Sequence, residues 1–207
     1  MSNLILMRHG QSIWNLQNRF TGGIDVPLTR KGISQAKRAG QELKKMGIHI
    51  DVVFSSKLSR SIETAKIAIK NFNSSGMIVN NITRTEALNE RDYGDLSGLN
   101  KDEAREKWGK DQVQAWRRSF DTPPPGGESL KNTAERVLPY FRENIMPLVK
   151  KNQEIIVVAH GNSLRALVMH LDHLSPDEVV RLEIPTGLPI CYQISSQGKV
   201  QNKILLE

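Results

Sequence analysis

Asn3-Leu4-Ile5-Leu6-Met7-Arg8-His9-Gly10 and, much later, Glu154-Ile155-Ile156-Val157-Val158-Ala159-His160-Gly161 have the same layout. Each is an unbroken apolar run that ends in His-Gly. Apolar runs without alternation read as strands buried on both faces, which is the habit of a parallel sheet. In an open parallel sheet, ligands bind outside the carboxyl ends of the strands. Both histidines therefore fall where a site is expected, and neighbouring strands would bring them together. The glycine after each His lets a backbone N–H approach an anion closely. A helix is expected after each, and its N-terminus favours negative charge. Arg8, directly after the first run, is costly to bury unless an anion pairs with it.

The segments between these runs alternate in type. Ile33, Ala36, Gly40 and Leu43 keep a helical spacing that Gly47 stops. Asp51 to Ser55 reads as a second strand. Leu58, Ile62, Ala65, Ile69 and Phe72 line one helix face. Met77 to Ile82 reads as a weaker third strand. This order predicts an α/β fold with a mostly parallel central sheet and right-handed crossovers. Residues 84–128 differ, being polar and punctuated by Gly94, Gly98, Gly109 and Pro123 to Gly127. They are expected to form a helical and loop insertion over the site, with short helices at 101–108 and 111–119. The pattern then resumes. A helical stripe from Leu130 to Leu148 carries Pro139 and Pro147, which predict a kinked or broken helix. Helices are expected at Ser163 to Leu171 and Ser175 to Leu182, and closing strands at Ile190 to Ile194 and Lys203 to Leu206. One domain over residues 1–207 accounts for the whole pattern.

Composition narrows the function. With 207 residues, 38% hydrophobic and 25% charged, the chain is globular rather than disordered. A lone cysteine, Cys191, excludes a disulfide framework and a zinc ribbon. Met1 to Arg8 is too short for a signal peptide and reads as a strand, so the expected location is cytoplasmic. A net charge of +7 favours an anionic partner. Aromatics at 5% are too few for much base stacking, and the basic pairs are scattered. No nucleic acid and no membrane are therefore expected as partners, although a non-catalytic basic binding module stays open as an alternative.

Arg60 follows the second strand on the same edge as the two histidines, and arginine suits a bidentate grip on phosphate. No P-loop or dinucleotide-type glycine motif occurs, and no acidic cluster suggests a metal. A phosphate pocket with histidine and no metal points to covalent catalysis, since a neutral ring nitrogen is a nucleophile near pH 7. The substrate oxygen still needs its proton handled. Glu90, in Asn89-Glu90-Arg91-Asp92-Tyr93-Gly94, is the best candidate. The alternative is a surface glutamate paired with Arg91.

Arg8-His9-Gly10-Gln11-Ser12 with a later His160-Gly161 resembles the histidine phosphatase superfamily. Asn15, Thr21-Gly22, Glu90 to Gly94, Leu99-Asn100-Lys101, Arg117 to Asp121, His160 to Arg165 and Ile184 to Gly187 are similar to the bisphosphoglycerate-dependent phosphoglycerate mutases, in a short form. Gln11, Gly23 and Asp92 depart from the usual residues of that family. The chain passes straight from Pro125 to Gly126-Gly127 where longer members insert a segment, and it closes at Glu207 without their tail. The resemblance implies a phosphoglycerate mutase-like fold. It implies interconversion of 3-phosphoglycerate and 2-phosphoglycerate, in glycolysis and gluconeogenesis, primed by 2,3-bisphosphoglycerate and without metal. His9 would be the phosphohistidine and Glu90 the proton donor and acceptor, while Arg8, Arg60 and His160 would hold the transferring group. Gln11, Ser12, Asn15, Thr21, Gly22, Arg91, Asp92, Tyr93, Lys101, Arg117, Arg118, Gly161 and Asn162 would bind the rest of the ligand. A homodimer is implied, with the strand at Met77 to Ile82 a candidate exposed edge. A phosphomonoester phosphatase of the same superfamily is the nearest competing activity.

Overall fold

The computed structural model describes residues 1–72 and 81–206. Its centre is the pair of strands that the two apolar runs predict. β1 (Ser2–Arg8) and β4 (Ile155–Ala159) lie side by side and parallel, Arg8 opposite Ala159. Leu4 to Met7 and all of β4 are fully buried. Successive side chains of a strand point to opposite faces, and each face has its own core. Leu4, Leu6, Ile155, Val157 and Ala159 join one cluster, and Ile5, Met7, Ile156 and Val158 the other. Two cores on one strand leave no place for polar alternation, which is why these runs are apolar throughout.

The sheet has six strands in the order β3-β2-β4-β1-β5-β6, with β2 at Val52–Ser56, β3 at Ile82–Thr85, β5 at Pro189–Ile194 and β6 at Val200–Leu205. β3, β2, β4 and β1 run parallel, while β5 and β6 add an antiparallel margin. The chain leaving β1 crosses to β2 on one side, and the chain leaving β4 crosses to β5 on the other. The carboxyl ends of β1 and β4 therefore flank a switch point, where such sheets open a crevice.

Helices cover both faces. α1 (Ile13–Leu16) is a single turn capped by Ser12. α2 (Arg30–Lys45), capped by Thr29, and α3 (Ser59–Phe72) pack on the face of Ile5 and Met7. Gly40 lets these two meet, since a Cβ there would stand 2.1 Å from the Ala68 carbonyl oxygen. On the other face lie α6 (Leu130–Tyr140) and α8 (Gly161–Leu171). Between Glu86 and Glu128 the chain forms α4 (Lys101–Trp108) and α5 (Lys110–Arg118). These have a small core of their own, in which Phe20, Leu96, Ala104, Val113 and Trp116 meet. Among the described residues, no helix is long and apolar enough to cross a membrane.

The structure departs from expectation at the third strand and at the last helix, and it gives the proline-bearing stripe its particular form. The third strand starts at Ile82 and runs on to Thr85, pairing with Val53 to Ser56. Met77 to Asn80 lie outside the described residues. The proline-bearing stripe is neither straight nor broken. α6 passes through a π turn at Phe141–Ile145 into α7 (Met146–Lys150). Pro147 has no N–H for the usual helical bond, and a widened turn before it accommodates the loss. The helix expected to reach Leu182 is regular only over α9 (Pro176–Val179).

Candidate active site

Arg8 and His9 leave the end of β1, and His160 leaves the end of β4. The two histidine rings lie 5.0 Å apart between centroids, tilted by 58°. His9 is 2% exposed and His160 fully buried. His9 Nδ1 lies 2.7 Å from the Gly10 carbonyl oxygen. A carbonyl only accepts, so Nδ1 carries the proton and Nε2 keeps its lone pair. His160 Nε2 lies 2.7 Å from the Ser56 hydroxyl at the end of β2. Burial first, and then the charges of Arg60 and Arg8, push both imidazoles well below the ordinary histidine value; His160 also opposes a charge on His9, and Arg136 opposes one on His160. Gly10 is held by Thr64, whose hydroxyl accepts its N–H at 3.0 Å. A Cβ at Gly10 would fall 2.3 Å from the Gly32 carbonyl oxygen, so no larger residue fits after His9.

The cations surround this pair. Arg60, on the first turn of α3, is fully buried and donates to the carbonyls of Ile24 and Gly22, both at 2.8 Å. Burial lowers its pKa to about 10, and Glu90 and Asp25 oppose that shift. Arg8 Nη1 donates to the Ile184 carbonyl at 2.8 Å. Among the described residues, three buried nitrogens in this cluster have no partner: Arg8 Nε, Arg60 Nε and His160 Nδ1. Buried donors are rarely left unmatched, and three converging on one place suit an oxyanion with several acceptor oxygens.

Glu90 closes the group. Its Oε1 accepts from the backbone N–H of Arg91 at 2.9 Å and of Asn162 at 3.0 Å, and its Oε2 from Gly161 N–H at 3.1 Å. Burial alone would raise its pKa. The Arg8 guanidinium, these N–H groups and Arg60 outweigh it and hold the carboxyl below the usual carboxylate range. Glu90 is thus a buried carboxylate held ionised at the N-terminus of α8, and the surface-pair alternative is set aside. Arg91 points instead beneath Tyr93, its guanidinium 4.5 Å from the ring centre.

From this cluster a cleft opens between the sheet edge and the 86–128 segment. Arg8, Glu90, Tyr93, Gly161 and Asn162 line it near the histidines, and Lys101, Arg117 and Arg118 line its far wall. A second arm runs past Asn15, Thr21 and Gly22 to Lys101. Burial lowers the pKa of Lys101 and of Arg117, which the neighbouring cations add to. Such a concentration of positive charge suits a ligand with more than one anionic group.

Four residues expected to bind the ligand stand apart from the lining, and Arg91, fully buried beneath Tyr93, is one of them. Gln11 ties the loop to α2: its N–H donates to Gln35 and its side-chain oxygen accepts from Thr29. Asp92 is exposed and makes a local turn, accepting from Gly94 N–H at 2.8 Å. Ser12 is buried as the cap of α1, its hydroxyl accepting from Asn15 N–H at 3.2 Å. Conversely, the lining includes Arg19, Arg165 and Glu183, which were not singled out. Arg165 had a usable signal, since it stands three residues after Asn162 on the same helix face.

A histidine pair at adjacent strand ends, ringed by arginines and a carboxylate, suits a phosphoryl-transfer pocket, and among the described residues no cluster of His, Cys, Asp and Glu could hold a metal ion. The sequence profile of the histidine phosphatase superfamily, branch 1, matches residues 4–203. A 2,3-bisphosphoglycerate-dependent phosphoglycerate mutase of Parvibaculum lavamentivorans is 55% identical over 98% of this chain and 95% of its own. One of Bradyrhizobium sp. is 52% identical over 97% of this chain and 96% of its own. The chain therefore belongs to the histidine phosphatase superfamily and, within it, to the family of the 2,3-bisphosphoglycerate-dependent phosphoglycerate mutases. The fold extends further than the family: the α-ribazole phosphatase of Shigella flexneri superposes with a TM-score of 0.82 at 22% identity, covering 99% of this chain and 96% of that one.

Proposed function

We propose that this chain interconverts 3-phosphoglycerate and 2-phosphoglycerate, with His9 carrying the phosphoryl group between them. The observation that carries the reading is the His9–His160 pair at 5.0 Å, set among the unpartnered nitrogens of Arg8, Arg60 and His160. The names of the relatives above supply the substrate class.

Hydrogen bonds and burial support the following roles. His9 is neutral with its lone pair on Nε2, which makes that atom the nucleophile. His160 is hydrogen-bonded to Ser56 through Nε2, which leaves its buried Nδ1 for the transferring group. Arg8 and Arg60 add their Nε donors, and together these groups meet the charge on the equatorial oxygens. 2,3-Bisphosphoglycerate, when bound, supplies the phosphoryl group that primes His9. The same unpartnered donors fit its phosphate, and Lys101, Arg117 and Arg118 suit its other charged groups. In the productive step, a hydroxyl of the substrate attacks phosphorus as the bond to His9 Nε2 breaks, and Glu90 takes the hydroxyl proton. The product of that transfer carries both phosphates and turns within the cleft before returning one to His9. The far-wall cations hold either end while it does so. The same reading takes the enzyme to be cytoplasmic and to act on small molecules, with a homodimer as the family expectation.

The test is conversion of 3-phosphoglycerate with and without 2,3-bisphosphoglycerate, with free phosphate followed in parallel. Conversion should depend on the bisphosphate and disappear in His9→Ala, along with acid-labile protein-bound phosphate. Phosphate release without conversion would make the enzyme a phosphomonoesterase. Acid-labile phosphate persisting in His9→Ala would overturn the nucleophile.

A further inference from the structure

Arg165 lies on α8 one turn beyond Asn162 and is 9% exposed. Its guanidinium is held at three points. Nε donates to the Leu182 carbonyl at 2.8 Å, Nη1 donates to Asn162 Oδ1 at 3.0 Å, and Nη2 lies 3.7 Å from the Glu183 carboxylate. A guanidinium has donors only. The Asn162 atom that faces it must therefore be the carbonyl oxygen, and the amide nitrogen must face the opposite way. That nitrogen donates to Glu90 Oε1 at 3.1 Å and to the Tyr93 hydroxyl oxygen at 3.3 Å. Were the carboxamide turned over, a carbonyl oxygen would meet the Glu90 carboxylate and an NH₂ group would meet Arg165. Both contacts would then be repulsive.

We propose that Arg165 is a positioning residue for proton transfer, holding the Asn162 carboxamide in the one orientation that donates to Glu90. This rests on the reading of Glu90 as the group that moves the substrate proton. The other hydrogen bonds to Glu90 come from backbone N–H groups of Arg91, Gly161 and Asn162, which cannot reverse. The Asn162 side chain is the reversible contact, and it is the one with a dedicated orienting partner. The charged and titratable groups facing Glu90 are Arg8 from β1, Arg60 from α3, Tyr93 from its own loop and Arg165 from α8. Arg136 of α6 adds a donor to the Glu90 carbonyl at 3.1 Å. Losing Arg165 removes a positive charge as well as an orienting group, so a double-mutant cycle is needed to separate the two.

Steady-state rates and the pH profile of kcat/KM would be measured for Arg165→Met, Asn162→Ala and the double variant, with Glu90→Gln as reference. Arg165→Met should lower kcat about ten- to a hundredfold and leave KM for 3-phosphoglycerate within about twofold. It should also move the acid limb of the profile to higher pH, because a carboxylate with fewer donors takes up a proton more readily. In the Asn162→Ala background the same substitution should cost less than about twofold. Arg165→Lys, which keeps a donor, should restore the acid limb, and it carries the cycle if the methionine variant does not fold. Additive losses in the cycle would overturn the proposal. So would a raised KM with an unmoved acid limb, the mark of a direct grip on substrate. If Glu90→Gln retains full mutase activity, the proton-transfer reading falls and this proposal falls with it. If Glu90→Gln is inactive and the cycle is additive, only the role of Arg165 is lost.

Discussion

Two hydrogen bonds support the division of labour proposed for histidines that look alike in sequence. His9 gives its Nδ1 proton to Gly10, and His160 meets Ser56 through Nε2. His160→Ala should therefore preserve part of the binding and slow phosphoryl transfer by about 10²–10³-fold, the usual cost of losing one charge-stabilising donor. Rapid-quench measurement of His9 phosphorylation would show it, and an unchanged rate would make His160 a packing residue. The same two rings govern acid stability. Their pKa values are lowered on folding, so the unfolded chain binds more protons once the pH drops below the ordinary histidine value of about 6.5. Stability should be full above that value and decline as the pH falls toward the depressed folded values, by up to about 1.4 kcal/mol per pH unit for each ring. Urea unfolding between pH 7 and pH 5 would check it, and a flat profile would mean that the rings are charged in the folded state. Arg8, His9, Arg60 and His160 were legible in the sequence because a strand end is a place, and residues at strand ends share it. Gln11 and Asp92 misled because neighbours in sequence point to different sides of an extended chain. Glu183 left no trace, since its position depends on how the chain after α9 returns to β1.

At the scale of elements, α4 and α5 carry the far wall of the cleft on a few apolar anchors. Arg117 stands one residue before the end of α5 and lines the cleft, while its carbonyl accepts from Arg91 at 3.4 Å. Arg117→Ala keeps that carbonyl. It should raise KM for phosphoglycerate while changing stability by less than about 0.5 kcal/mol. An unfolded protein with unchanged KM would give Arg117 a structural role instead. Both helices were readable from their polar, glycine-bounded stretches, and their bounds agree with expectation to within a residue. β3 was read too early, because Ile82 to Thr85 has little apolar content to mark it. Its pairing with β2 makes it a strand, and pairing is not a local property. The π turn at Phe141–Ile145 is similar: the prolines announce a disturbance, but packing of Phe141 and Ile145 into the core decides its form.

For the molecule as a whole, the α/β class and the parallel centre followed from apolar runs set between helical stripes. The strand order did not, because nothing local says that β4 inserts between β2 and β1. That insertion has a consequence for how the enzyme is made. Among the described residues β1 pairs with β4 and β5 alone, both from the last third of the chain, so the earliest strand waits for the latest ones. Pairings of such long range form slowly. On dilution from denaturant, mutase activity should return after the helical circular-dichroism signal rather than with it, and simultaneous recovery would argue for a different order of assembly. During synthesis the effect is sharper still. A nascent chain that has emerged only as far as Lys150 contains β1, β2 and β3 but not the strand that joins the first to the other two. It has His9 and no His160, so the catalyst comes into being only with the final quarter of its own translation.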